Sequence, residues 1–180
     1  MMVDVMIDLE TWGTRPGCAV RSVGAVAFDR RHSGELGAEF YRNVDTWSCL
    51  DAGLRVDSKT RAWWRQQSDE ARAALEADKV ELALAAAEFH AWLGNYGSPC
   101  VWSQGASFDL PIWEAAAAAV DLIAPWKFWN HRDTRTIYDV AGLDPKTLPR
   151  DGTHHSALDD ARHQARCVQE AVRRLRGEAT

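Results

Sequence analysis

The sequence predicts an α/β fold: a central mixed sheet of five strands flanked by helices. Strand-like alternation fills the first 43 residues, and beyond it helical periodicity alternates with two short strand-like runs. The composition, 46% hydrophobic and 26% charged, supplies both a buried core and a solvated surface. At 180 residues the chain suffices for one domain spanning 1–180, and no linker-like stretch divides it.

The elements follow in order. Val3, Val5, Ile7 and Leu9 alternate with Asp4, Met6, Asp8 and Glu10, so residues 2–9 read as a strand apolar on most of both faces. Side chains repeat every two residues in a strand, which puts Asp8 and Glu10 on one face at its C-terminal end. "RSVGAVAFDR" (21–30) and "GELGAEFYRN" (34–43) form a hairpin around a polar turn with Gly34. Helices are expected from Ser58, from Ser68 with its hydroxyl as N-cap, and from Val80. "CVWSQ" (100–104) is a fourth strand, and "DLPIWEAAAAAV" is a helix that tolerates Pro111 in its first turn. "KFWNHRD" (127–133) reads as the fifth strand, residues 134–141 as a helix capped by Asp133, and 142–152 as a Gly/Pro-marked loop. One long helical pattern closes the series from Ala157 to about Leu175.

Composition narrows the functional classes. The stretch "AAAAAVDLIAP" is interrupted by Asp121 and far too short for a bilayer, so no membrane partner is expected. A basic segment leading into an apolar run with a small-residue cleavage site is lacking at the N-terminus, which predicts a cytoplasmic protein, or one of the host cytoplasm if phage-encoded. Cys18, Cys49, Cys100 and Cys167 lack zinc-ligand spacing and are expected as reduced thiols in or near the core. A net charge of −5 disfavours a sequence-independent nucleic-acid coat but suits an enzyme that gathers carboxylates around metal ions.

Three segments carry candidate acid residues: D-x-E at Asp8 and Glu10, "SQGASFDLP" with Asp109, and "HHSALDDARHQA" with His155 and Asp160. Taken singly each has an ordinary reading: a solvated strand end, a helix N-cap, a surface histidine. Their order along the whole chain is a joint pattern, and it resembles the DEDD superfamily of DnaQ-like 3'-to-5' exonucleases, in the branch with a histidine in the last motif. "HSALDDA" is its most specific piece. "TRAWWRQQSDEARAAL" (60–75) and "NHRDTRTIYDVAG" (130–142) look like elements of the small phage and actinobacterial exoribonuclease-like members. Departures are minor: Gln104 stands where such proteins often have Asn, and Ser103 where they often have Gly.

The resemblance implies a ribonuclease H-like fold, a 3'-to-5' exonuclease of single-stranded RNA or DNA ends, and a homodimer. It carries the catalytic set over as Asp8, Glu10, Asp109, His155 and Asp160, with the four carboxylates as metal ligands. Carboxylate clusters without cysteines favour Mg²⁺ or Mn²⁺, and two such ions about 3.5–4 Å apart can clamp the attacking and leaving oxygens of an in-line displacement. Neutral His155 would take the proton of the attacking water, releasing a nucleoside 5'-monophosphate. Thr11, Trp12 and Phe108 are candidate substrate contacts, Phe108 by stacking on a base.

Neighbouring residues receive other roles. Asp159 reads as half of a capping box with Ser156; His154 and Asp4 fall outside the catalytic spacing. One of Trp63 and Trp64 should be core and the other nearer the surface, and most tryptophans should pack in the core or a subunit interface. Arg162, Arg166 and Arg173 read as a solvated helix face. Two rival functions remain: a structure-specific endonuclease on this scaffold, and a catalytically silent nucleic-acid-binding or interaction module.

Overall fold

A computed structural model describes residues 3–32 and 34–177. Its strands are β1 (Asp4–Thr11), β2 (Val20–Phe28), β3 (Leu36–Asn43), β4 (Cys100–Ser103) and β5 (His131–Asp133), joined in one sheet of order β3-β2-β1-β4-β5. The pairs β1–β2 and β2–β3 are antiparallel, and β1–β4 and β4–β5 are parallel, so the sheet is mixed as the sequence predicts. The helices are α1 (Thr46–Asp51), α2 (Ser58–Trp64), α3 (Asp69–Ala74), α4 (Leu82–Gly94), α5 (Asp109–Ala118), α6 (Thr134–Val140) and α7 (Ala157–Leu175). None of them is long and apolar enough to cross a membrane.

The alternation of β1 divides the core. Its odd residues Val5, Ile7 and Leu9 pack with Leu82, Phe89 and Leu93 of α4 and Ile112 and Trp113 of α5. Its even face, through Met6, packs with Ala161, Ala165 and Val168 of α7 and Tyr138 of α6. Asp8 and Glu10 therefore lie on the side of the sheet that α7 covers. Small residues at Ala157, Ala161, Ala165 and Ala171 let α7 approach closely, and Gly24 of β2 completes the fit. A Cβ placed on Gly24 would stand 2.3 Å from the Ala157 carbonyl carbon and from the Leu158 nitrogen. Across the strands Gly24 pairs with Asp8, so the closest approach of α7 to the sheet is also where the acidic pair begins.

Several expectations need correction. Residues 127–133 are not one strand: Phe128–Asn130 is a turn of 3-10 helix, and β5 keeps three residues. The helix α1 was not foreseen; Asp45 caps it through the Ser48 N–H. The capping box does not form. The Ser156 side chain caps nothing, while Asp159 accepts from the Thr153 N–H at 3.0 Å and pairs with Arg162 at 2.6 Å. Position 2, assigned to the first strand, lies outside the described residues. Trp63 (41% exposed) and Trp64 (2%) divide as expected, and Trp47 and Trp129 are exposed at 73% and 59%. The four cysteines are buried free thiols.

Candidate active site

β1 ends at a register shift between Glu10 and Thr11, beside the first turn of α5 and the loop leading into α7. These segments enclose a cleft of about 500 Å³ lined by Asp8, Glu10, Asp109, His155 and Asp160, with Gln104, Phe108, Arg135, Arg150, His154, His163 and Gln164 completing the wall. The five residues of the candidate catalytic set, drawn from three distant segments, thus face one space.

Each is held by local structure. Asp109 is 3% exposed and accepts from the Leu9 N–H at 3.1 Å, which ties the start of α5 to β1; it is the first helical residue, with Phe108 at the N-cap position. Asp8 is partly exposed and accepts from Gln164 Nε2 at 2.7 Å. Asp160 is ion-paired with Arg150. His155 has a φ of 63°, in the left-handed region that a β-carbon disfavours, directly before α7. Its ring stands edge-on to Trp63 and Trp64, with centroids 5.0 and 6.0 Å away. Backbone held in such a conformation by surrounding packing is a recurrent mark of functional positions.

The tryptophans are fixed in turn. Trp64 Nε1 donates to the Thr11 carbonyl at 2.8 Å. The Arg21 guanidinium lies between the Trp12 and Trp64 rings, 4.1 and 4.4 Å from their centroids, and reaches Glu76 at 3.1 Å. Trp12 donates to Thr46 Oγ1 and lines neither the cleft nor its side pocket. Thr11 and Phe108 do line that side pocket, a space of about 410 Å³ that also takes in Glu10, Lys59 and Trp63.

Electrostatics follow from this crowding. Burial, with the Asp109 and Glu10 charges, raises the Asp8 carboxyl well above its ordinary range, against the Gln164 hydrogen bond and the Arg150 charge. Glu10 is pushed up to about 8 by burial and the Asp109 charge, and Asp109 to about 7 by burial above all. His155 is lowered by burial and by the His154 and Arg150 charges, which keeps its imidazole neutral at pH 7. One ligand atom from each of Glu10, His155 and Asp160 lies within 4.8 Å of the others. Carboxylates that cannot all ionise unaided, offering hard oxygen donors around an open space, fit a Mg²⁺- or Mn²⁺-class cation. Asp4, on the same face of β1, is spoken for: it accepts from Trp102 Nε1 and pairs with Arg30, both at 2.8 Å.

Sequence reasoning missed Gln164, Arg135, Arg150, His163 and Trp63. Gln164 stands one helical turn after Asp160, so the i, i+4 spacing could have revealed it. Trp63 is read from the sequence only as one of a core-and-surface pair, and the loop residue Arg150 carries no spacing signal at all.

A family model described as the 3'-5' exoribonuclease Rv2179c-like domain matches residues 3–172. An exodeoxyribonuclease of Enterobacteria phage T4 is 26% identical over 82% of this chain and 77% of that protein. Exonuclease I of E. coli, solved with a 5cy-dA13 oligonucleotide, superposes with a TM-score of 0.62 at 14% identity over 96% of this chain. This chain spans 40% of its length. The nuclease domain of 3'hExo, a DEDDh family member bound to rAMP, gives 0.59 at 14% identity, covering 95% of this chain and 92% of that one. The mixed five-stranded sheet with flanking helices is the ribonuclease H-like fold of these exonucleases.

Proposed function

Because the chain belongs to the Rv2179c-like 3'-5' exoribonuclease domain family, we propose that it removes nucleoside 5'-monophosphates from the 3' ends of single-stranded nucleic acid in this cleft. The observation that carries the proposal is the convergence of Asp8, Glu10, Asp109, His155 and Asp160 on one space at the end of β1. Asp8, Glu10, Asp109 and Asp160 would hold two Mg²⁺ or Mn²⁺ ions. When bound, the ions supply positive charge to the attacking and leaving oxygens of the phosphodiester.

The protein's own groups do the rest. His155, neutral at pH 7, accepts the proton of the attacking water at a ring nitrogen. Trp63 and Trp64 fix the plane of that imidazole. Trp63 and Phe108, facing the side pocket beside Glu10, offer aromatic surfaces to the terminal base, and stacking of this kind tolerates any base.

The test uses 5'-labelled single-stranded RNA and DNA with Mg²⁺, Mn²⁺ or EDTA, beside His155→Ala and Asp160→Asn. A metal-dependent ladder that shortens from the 3' end and vanishes in both variants is expected, and the faster substrate identifies the preferred sugar. Cleavage of circular single strands points to an endonuclease. Intact oligonucleotides with a retarded gel band point to a binding module.

Metal removal gives a second expected result. The folded value of Glu10, about 8, lies above its ordinary 4.5. Below pH 4.5 the group is protonated in both folded and unfolded chains; above it only the unfolded chain sheds the proton, so its stabilising contribution is lost as pH rises to about 8. In EDTA the melting temperature should therefore fall between pH 5 and 8, and Mn²⁺ should restore more of it at pH 8 than at pH 5. A pH-independent Mn²⁺ effect in scanning fluorimetry counts against the carboxylates as its binding site.

A further inference from the structure

Arg150 sits in the irregular segment 148–156, between the 3-10 turn Pro145–Thr147 and α7, and it pairs with Asp160 inside the cleft. Its side chain is 21% exposed and that of Asp160 is 15% exposed. The same guanidinium charge acts on Asp8, Glu10 and His155, in each case lowering the proton affinity. Its Nε is buried and makes no hydrogen bond among the described residues. A buried donor left unmatched costs on the order of 1–3 kcal/mol, so an unmatched guanidinium nitrogen at a cleft wall needs a reason.

We propose that Arg150 is the built-in counter-cation of the cleft and exchanges partners: it holds Asp160 in the metal-free protein, releases that carboxylate to a divalent ion, and then grips the substrate phosphate. The inference rests on the metal-dependent reading above. Asp160 cannot saturate a guanidinium and ligate an ion with the same oxygens. Once released, Arg150 has the features phosphate recognition asks for: a permanent charge, a planar fork of donors and a spare Nε. Its segment lacks ladder hydrogen bonds and turns at Gly152, which has a φ of 87°. A β-carbon there would stand 2.4 Å from the Asp159 carboxylate carbon, and the positive φ favours glycine at the position. The long side chain can swing while Asp159 holds the backbone at Thr153.

The experiment titrates wild type, Arg150→Gln and Arg150→Lys with Mn²⁺ by calorimetry, then with AMP at saturating Mn²⁺. Arg150→Gln is expected to bind Mn²⁺ about fivefold tighter or more, having lost the competing cation, and AMP about fivefold weaker or more. Arg150→Lys, with the charge but not the fork, should keep near wild-type Mn²⁺ affinity and still weaken AMP. Mn²⁺ affinity in Arg150→Gln equal to or below wild type, or AMP affinity unmoved, overturns the exchange. Should Arg150→Gln not fold, wild-type AMP affinity in Arg150→Lys overturns it equally. If wild type takes up no Mn²⁺ at all, the metal reading of the cleft fails, and the exchange with it.

Discussion

Asp8→Asn is expected to lower the exonuclease rate on the order of 10³-fold while raising the melting temperature of the metal-free protein. The two effects have one cause. Asp8 shares the cleft with Glu10 and Asp109, and their charges together with burial raise its proton affinity. Asparagine keeps an oxygen in place of the one that accepts from Gln164 at 2.7 Å, so α7 stays tied to β1. What disappears is a carboxyl whose ionisation this crowding penalises, and with it a candidate ligand oxygen. Stability gained where function is lost is the usual pattern at a site strained for its task. Single-turnover rates and scanning fluorimetry in EDTA check both halves: full activity would remove Asp8 from the catalytic set, and a large fall in melting temperature would make its role structural.

Gly24→Val should cost both stability and activity, although residue 24 does not line the cleft. The atoms that a β-carbon would strike at 2.3 Å belong to the backbone of Ala157 and Leu158, which cannot swing aside as a side-chain tip could. The first turn of α7 must move, and it carries Asp160 directly and His155 two residues before its start. Overpacking of this kind costs about 1–3 kcal/mol, or roughly 3–10 °C in melting temperature for a chain of this size. The rate should fall about 100-fold or more, since a displacement of an ångström suffices to misplace catalytic groups. Gly94→Ala is the matched control. Gly94 ends α4 with open space around its Cα, so alanine there should be neutral or stabilising by up to about 1 kcal/mol, with activity intact. Equal losses in the two variants would remove the special status of Gly24.

What the sequence disclosed depended on how repetitive the signal was. The alternation along β1 put Asp8 and Glu10 on one face, and nineteen residues of helical period gave α7 its bounds, Ala157–Leu175. The five candidate catalytic residues emerged because their order spans the whole chain. Elements too short to show a period did not emerge: α1 has six residues, and the 3-10 turn Phe128–Asn130 took half of an expected strand. Local rules misled where tertiary contacts outbid them. Asp159 stands at capping-box spacing from Ser156 yet bonds Thr153 and Arg162. Arg150 was invisible because a loop arginine has no periodicity to betray it.

The hydrogen bond from Gln164 to Asp8 joins residues 156 positions apart. Contacts of such long reach close late, because the entropy of a large loop is lost before they form. Among the described elements β1 and its carboxylates are made first and α7 last. For that whole interval the nascent chain carries an acidic strand without its histidine, its fourth carboxylate or its glutamine clamp. The candidate site is therefore completed only when the last of the described elements docks.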